Sequence, residues 1–518
     1  MARATKTQLP KLPLKQTNAA ATYQQLTTHR ARFISEAVQC ASYTIPSLFQ
    51  KTADSQELPP TPYQGVGARG VNNLAAKMML ALFPVNTPIF RLKIEPEVLA
   101  AAGGDEKVRG KVEAGLSGIE NRVTSEMATR GIQHTAYELL RNLIVTGNGL
   151  LYMPPGEPFK FYSLHDYVVR RDYFGRCIEL VVREKVPRGS LPSVVQAALP
   201  SATHGEDKQE ELYTHVRKSD GKWTAYQEVG GMEVPDTRGT YPADSSPWLP
   251  LRFIKRRGWD YGGSYVSEYI GDLVSLDGLS QAILEGSAAM ARILFLVNPA
   301  GTTDVNALTK APNGGFVSGL PSDINTLRVD KAGDFRVALE QANSIQERLS
   351  YAFLLNSAVQ RGGERVTAEE IRYVARELED SLGGIYSLLS QELQLPMVSR
   401  LMYELEKAGK LPTLPSDAVR PQVLTGSEAV GRGNDLQKLE LAMTKASLVG
   451  DQFAQRINAG EFILRVFTAC GVPTDGLLKT DEEVQQEAQQ QQAMAMMAQG
   501  MNPAIQAGGQ IIKEGMKQ

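Results

Sequence analysis

The densest cluster of basic and aromatic residues in this sequence lies at the end of a stretch rich in β-forming residues. It comprises Arg252, Lys255, Arg256, Arg257, Trp259 and Tyr261. Guanidinium and ammonium groups bind phosphates and an indole stacks on bases, so the cluster could contact nucleic acid. The alternative is a strand end whose charges form salt bridges with a neighbouring element or subunit, and we favour this second interpretation.

A second candidate for chemistry is the glycine-rich segment from Gly65 to Gly70, which matches the G-x-G-x-x-G spacing of dinucleotide-binding sites. That fingerprint requires a preceding apolar strand, and here Pro59, Pro60 and Pro62 come first. An acidic residue is also missing at the expected distance downstream. We therefore interpret the segment as a flexible lead-in to a helix. The sequence contains no P-loop motif, so we do not expect an ATP-driven motor.

The remaining reactive side chains form no catalytic or metal-binding pattern. The five histidines are scattered without ligand spacing, and the three cysteines are far apart; these residues are His29, His134, His165, His204, His215, Cys40, Cys177 and Cys470. We expect buried free thiols, no metal, no cofactor, no catalytic residues and no enzymatic activity.

A charged loop between two helical patterns is the most informative feature of the chain. The loop consists of Gln360, Arg361, Gly362, Gly363, Glu364 and Arg365. Thr367 and Glu370 follow at the spacing of a capping box, in which hydroxyl and carboxylate satisfy the first N–H groups of a helix. The pattern predicts a polar loop displayed on two rigid helices. Such a loop suits a protein that holds or passes something rather than changing it chemically.

Composition bounds the function further. The 518 residues carry a net charge of −2, with 42% hydrophobic and 22% charged residues. A chain of this size buries a large core, and its charge gives no global attraction to nucleic acid or to acidic membranes. The best candidate for a membrane span, the apolar run at residues 293–297, is too short to cross a bilayer, and the N-terminus lacks a secretory pattern. We expect no membrane association and synthesis in the cytoplasm.

Periodicity predicts a mainly α protein with an antiparallel β-rich insertion, an α+β fold. Helices are predicted at about residues 18–42, 71–82, 106–129, 135–145, 264–293, 334–357 and from 367 onward. Strands are predicted between residues 150 and 254, with a hairpin turn at Asp220-Gly221. The long helix after Thr367 carries break points at Gly383-Gly384 and Pro396.

Several of these segments resemble the portal proteins, or head-to-tail connectors, of short-tailed, podovirus-type bacteriophages. The resemblance runs through nearly the whole chain. It is carried by TIPSLF (44–49), VGARGVNNLAAKMMLALFP (66–84), LVNPAG (296–301), the segment from Leu355 to Pro396, and GRGNDLQKLE (431–440).

The resemblance implies a fold made of wing, stem, clip and crown, assembled as a ring. The implied divisions are a basic arm (1–16), wing (17–261, β-rich at 150–254), stem helix (262–297), clip (298–332), second stem helix (333–357), channel loop (358–366), long kinked wing helix (367–420), crown (421–480) and a low-complexity C-terminal helix or tail (481–518).

The resemblance also implies a function and a set of partners. It implies a structural ring, typically a dodecamer, at a capsid vertex of the virion, through which double-stranded DNA is packaged and ejected. The implied partners are further copies of the chain, the DNA, a terminase, a tail adaptor, and the major capsid and scaffolding proteins. Residues Gln360–Arg365 would face the DNA. Two alternatives stay open: a non-portal ring or tail adaptor of a virion, and a nucleic-acid-processing enzyme.

Overall fold

The computed structural model describes most of the chain between residues 17 and 423. The described ranges are 17–52, 59–84, 89–94, 106–199, 209–290, 294–327, 332–355, 373–374, 377–378, 380–412 and 419–423, with residues 444, 462–463 and 466. The chain divides into two compact units, Met1–Ala429 and Val430–Gln518. Of the second unit, only residues 444, 462–463 and 466 are described.

Four helices form the N-terminal part of the first unit: α1 (Ala19–Ser42), α2 (Val66–Leu82), α3 (Glu106–Thr129) and α4 (Ile132–Thr146). The prediction for α2 was wrong at its start, which lies at Val66 rather than about Val71. The side chain of Gln64 accepts the N–H of Gly67 at 2.9 Å and so satisfies a free donor of the first turn. The supposed glycine lead-in is therefore helical.

The sequence Gly147-Asn148-Gly149 is typical of a helix end, and α4 does end there. Gly147 follows the helix with φ of 74°, a left-handed conformation that favours glycine. A Cβ atom at Gly147 would also lie 2.4 Å from the carbonyl carbon of Gly263. The chain then enters β2 (Asn148–Tyr152), which lies between β3 (Lys160–Tyr162) and β10 (Trp248–Arg252) in an antiparallel sheet.

The predicted β-rich insertion is a larger antiparallel sheet. Its strands are β4 (Tyr167–Arg171), β5 (Cys177–Pro187), β6 (Gln209–Ser219), β7 (Lys222–Val229), β8 (Met232–Glu233) and β9 (Gly239–Pro242). The predicted hairpin between β6 and β7 is confirmed. Asp220 and Gly221 have φ of 51° and 72°, as two-residue turns with the twist of a β-hairpin require. A short helix, α5 (Ser193–Ala198), lies between β5 and β6.

The middle of the chain contains two helices joined by a small loop-rich unit. The helices are α6 (Ile270–Met290) and α8 (Ala332–Ala352), and the unit holds β11 (Leu294–Val297), α7 (Val305–Lys310) and β12 (Ile324–Leu327). The predicted helix at 264–293 was too long at its start, because a 3₁₀ turn at Val266–Glu268 precedes α6. Residues 294–297, assigned to the first stem helix (262–297), instead pair with β12 as a strand.

The predicted breaks in the long C-terminal helix are visible where it is described. Gly383 has φ of 51° and interrupts the helical residues at 380–382. Beyond it, α9 (Gly384–Leu389), a π-helical turn (Ser390–Gln394) and α10 (Leu395–Lys407) follow one another. The wider π turn ends two residues before Pro396, which lacks an N–H to donate back into the helix.

The last described strand closes the first unit. β13 (Val419–Val423) pairs antiparallel with β1 (Phe90–Ile94), so the predicted division at residue 421 falls inside a strand. One large core joins α2, α4, β2, α6, α8 and α10, with Leu74, Leu139 and Leu401 fully buried in it. Among the described helices, none is long and apolar enough to cross a membrane.

Candidate functional site

The predicted charged loop, Gln360–Arg365, and its helix cap at Thr367 and Glu370 lie outside the described residues. The chain is described on both sides of the loop. Leu354 and Leu355 precede it in the turn after α8, and the helical pairs 373–374 and 377–378 follow it. The geometry of these two ends is therefore the part of the site that the structure defines.

One face of α2 holds both ends of this segment. The side-chain amide of Asn73 donates to the carbonyl oxygens of Phe353 at 3.0 Å and Leu354 at 2.9 Å. The ammonium of Lys77 donates to the Leu354 carbonyl at 2.9 Å and lies 2.9 Å from Oε2 of Glu377. Leu354 itself has φ of 56°, a strained conformation for this side chain.

Sequence reasoning missed Asn73 and Lys77. The signal was present, because Gly70, Asn73 and Lys77 follow one another at three and four residues and so share one face of a helix. Lys77 is also the only cation between Val71 and Leu82, a segment otherwise dominated by apolar residues. Its side chain is only 6% exposed, which for a lysine requires specific partners.

The structure separates the predicted basic and aromatic patch into buried and exposed members. The interpretation of Arg252 as a surface contact was wrong, because this side chain is 1% exposed and its Nη2 lies 2.5 Å from Oε1 of Glu392. Removing a guanidinium from water is costly unless a carboxylate compensates it. Arg252 thus joins β10 to the π-helical turn, and the salt-bridge interpretation is confirmed for this residue.

Trp259, one of the two aromatic residues of the patch, is covered by cations. The guanidinium of Arg32 lies 4.0 Å from the centre of the Trp259 ring, and that of Arg256 lies 4.8 Å from it. Phe33 contacts the same ring edge-on at 5.4 Å. These cation–π and aromatic contacts occupy the indole and leave Lys255 and Arg257 as the exposed members of the patch.

A polar cleft of about 500 Å³ lies beside the patch. Its lining includes Arg171, Arg176, Lys255 and Glu392. The guanidinium of Arg171 donates to three backbone carbonyls, those of Asp260 at 2.8 Å, Gly175 at 3.1 Å and Pro250 at 2.9 Å. Burial lowers the pKa of Arg171 from its usual value. These contacts hold the turn between β4 and β5 against β10, and they form no constellation for acid–base chemistry.

The contacts and burial of His215, Cys40 and Cys177 indicate roles in the fold rather than in catalysis. His215 lies between Oε1 of Glu179 at 2.9 Å and the Tyr226 hydroxyl at 2.8 Å, bridging three strands of the large sheet. Burial raises the pKa of the Cys40 thiol to about 12 and that of Cys177 to about 11. Both thiols are therefore protonated at neutral pH and poor nucleophiles. Within the described ranges, no three potential ligands among His, Cys, Asp and Glu come together.

Comparison with known proteins identifies relatives along almost the entire chain. A family model described as bacteriophage head to tail connecting protein matches residues 16–478. The portal protein of Escherichia phage T7 is 45% identical over 507 residues, covering 94% of each chain. That of Enterobacteria phage T3 is 45% identical over 507 residues, covering 96% of this chain and 94% of the relative. That of Enterobacteria phage SP6 is 31% identical over 516 residues, covering 96% of each.

Among solved structures, a chain from the neck of a native GTA particle aligns with 79% of this chain, and the alignment includes 90% of the neck chain. Its sequence is 11% identical and the TM-score is 0.36. A score this low does not define a common fold.

Proposed function

The chain belongs to the family of bacteriophage head-to-tail connecting proteins, and on that premise we propose that it is a structural portal of a virion. Its task is to form the passage through which double-stranded DNA enters and leaves the capsid and to provide the attachment site for the tail. The observation that carries the proposal is the 45% identity to the T7 portal protein along 94% of both chains. Nearly every segment of the relative thus has its counterpart here.

Exposed apolar residues on α6 and α8 support assembly into a ring. Only Leu273 and Leu276 are buried on α6, although apolar residues occur on all sides of this helix. The exposed apolar side chains on the two helices are Val274, Leu284, Val337, Leu339 and Tyr351. Contacts between unlike surfaces of identical copies close into a ring when the rotation divides a full turn. We propose that neighbouring copies cover these surfaces in a ring, typically of twelve.

The pairing of α6 with α8 supports their assignment as the two stem helices. Gly286 allows the Phe335 ring to pack so closely that a Cβ atom there would lie 2.1 Å from it. At the other end of the pair, Arg348 and Asp272 form a salt bridge of 2.7 Å. Each helix has 21 residues and is about 32 Å long at 1.5 Å per residue. Such a pair forms a rigid element of a channel wall.

The unit between the stem helices exposes apolar side chains that could contact other proteins, and we assign it as the clip. Its exposed apolar residues are Leu296, Val305, Leu308, Phe316 and Leu320. The buried carboxylate of Asp323 accepts the N–H groups of Thr302 at 3.0 Å and Thr303 at 3.2 Å, which fixes the fold of the unit. We assign to this unit the contacts with the tail adaptor and the terminase.

The channel requires attraction to DNA without tight binding. Each phosphate that a protein neutralises adds affinity, and strong binding would hinder sliding. The net charge of −2 fits weak binding, with positive charge supplied locally by Arg361 and Arg365 as rings around the passage. The protein itself performs no catalysis in this proposal, and a separate terminase supplies the energy. The wing, the crown after residue 421 and the capsid and scaffolding contacts retain the assignments that the family resemblance implies.

Electron microscopy of the purified protein tests the proposal. We expect class averages of a ring with a central hole wide enough for duplex DNA, and rings that co-purify with capsids. Monomers or closed particles without a hole under all conditions would contradict the portal function.

A further inference from the structure

We propose that Asn73 and Lys77 position the segment between Leu354 and Glu377 by tying both of its ends to one face of α2. The inference rests on the proposed function, since it gives this segment a fixed place in the channel wall. Asn73 and Lys77 contact the described ends of this segment. They act through the backbone and the side chain that flank it.

A single ammonium group reaches both ends. Lys77 Nζ lies 2.9 Å from the carbonyl oxygen of Leu354, before the segment, and 2.9 Å from Glu377 Oε2, after it. The two described ends that flank the segment therefore meet at one ammonium group. Lysine has three N–H donors, so one ammonium can bind a carbonyl and a carboxylate together.

Burial strengthens this anchor. The side chain of Lys77 is 6% exposed and that of Glu377 is 19% exposed, so solvent and salt screen the pair less than a surface pair. Removing one partner of such a pair leaves the other charge without compensation. The ends of the segment cannot move apart without breaking this contact.

Asn73 and Gly70 fix the first end separately. The side-chain amide of Asn73 donates to the carbonyl oxygens of Phe353 and Leu354, which directly precede Leu355, the last described residue of that end. At Gly70, a Cβ atom would lie 2.5 Å from Cγ and 2.8 Å from Cβ of Phe353, so glycine permits the close approach of α8 to α2. This end therefore has an anchor that does not involve Glu377. At the second end, the ion pair adds to the burial of Val374 and Leu378 in the core.

Because the two ends have different anchors, each variant should loosen a different end. A residue that only stabilised the whole fold would not produce this difference. Asn73→Ala should loosen only the end at residues 353–355, and Glu377→Gln only the end at 373–378. Lys77→Met should loosen both. Closing the ends of a segment restricts its path, so loss of the anchor should widen the positions that the loop can reach.

Hydrogen exchange on the purified protein, followed by mass spectrometry, measures this pattern without DNA. We expect exchange in the named end or ends to rise roughly tenfold in each variant, with α2 outside the contact unchanged. Lys160→Met is the matched control, because it breaks the more exposed Lys160–Glu184 pair and should alter neither end. Unchanged exchange at both ends in all three variants, or a rise spread along the whole of α2, would overturn the proposal.

The functional arm uses particles assembled with each variant. If the anchor positions the loop, Lys77→Met should reproduce the DNA-retention defect of the Arg361→Ala, Arg365→Ala double variant while rings still form. Normal packaging and retention in Lys77→Met particles would refute the positioning role. Failure of the portal function itself is distinguishable, since the protein would then form no ring while the exchange pattern would still be measurable. If Lys77→Met does not fold, Asn73→Ala and Glu377→Gln carry the test.

Discussion

The carboxylate of Glu228 accepts the backbone N–H of Ala19 at 2.6 Å, although 209 residues separate them. Its other oxygen accepts the N–H of Ala20 at 3.1 Å. Asn18, the residue before α1, makes no side-chain cap of its own. A strand of the large sheet therefore caps the first helix of the chain, and the negative charge also favours the positive end of the helix dipole.

Replacing Glu228 tests this long-range cap. Glu228→Ala should destabilise the protein by about 1–2 kcal/mol, because two N–H groups lose their acceptor in a buried site. Glu228→Gln retains one acceptor oxygen and should cost less. Thermal unfolding of both variants measures the difference. Equal melting temperatures for Glu228→Ala and the unmodified protein would show that water replaces the cap at no cost.

Glycine is required at the junction of α4 and β2. Gly147→Ala should destabilise the fold by roughly 2 kcal/mol or more, because a left-handed residue gains a Cβ that meets the Gly263 backbone at 2.4 Å. Gly118→Ala in α3 is the control. Its Cβ would meet nothing within 4 Å, so it should leave stability unchanged or raise it by about 0.5 kcal/mol. Denaturant midpoints for the two variants should therefore shift in opposite directions or differ clearly in size.

The buried pair of Arg252 and Glu392 is expected to stabilise the protein only as a pair. Arg252→Met should cost about 3–5 kcal/mol, since it leaves Glu392 without its cation. The double variant Arg252→Met, Glu392→Gln should recover much of that loss. Lys255→Ala with Arg257→Ala, at the exposed positions, should change unfolding by no more than about 0.5 kcal/mol and leave DNA retention by particles unaltered. A retention defect in that last variant would restore the phosphate-contact interpretation of the patch.

Acidification should weaken the large sheet through Glu179. The hydrogen bond from His215, helped by the charge of Arg170, holds the pKa of Glu179 below its ordinary value of 4.5. The ionised carboxylate thus stabilises the folded state fully above that value, and the contribution is lost as the pH falls through the lower folded pKa. The difference in melting temperature between the unmodified protein and Glu179→Gln should be largest near pH 7 and shrink below about pH 4. A difference that stays constant over this range would assign the stabilisation to packing.

The loop arginines should affect DNA and leave assembly intact. In the double variant Arg361→Ala, Arg365→Ala, we expect normal rings by electron microscopy and altered packaging or retention of DNA in particles. The physical reason is the loss of two positive charges per chain, repeated around the ring. The single variant Glu364→Gln removes a negative charge from the same loop, so its effect on DNA should be in the opposite direction. If the double variant prevents ring formation, the loop is an assembly element instead.

Local patterns determined much of this protein. Apolar spacing identified α1 and α3, the Asp220-Gly221 pair identified a hairpin, and Gly147 marked a helix end, because each signal acts within a few residues. The segments quoted from the sequence also identified the family. The start of α2 was misjudged because its first turn depends on Gln64, whose capping role no simple motif describes.

Tertiary structure alone decided which polar residues meet. The partners Lys77 and Glu377, Ala19 and Glu228, and Arg252 and Glu392 are each more than a hundred residues apart. Sequence spacing predicts neighbours on one helix or strand, but a contact between elements depends on how those elements pack. For that reason the sequence identified a charged loop and a basic patch, but the fold placed Arg252 in a buried ion pair. It also placed Asn73 at the first end of the loop segment and Lys77 at both ends.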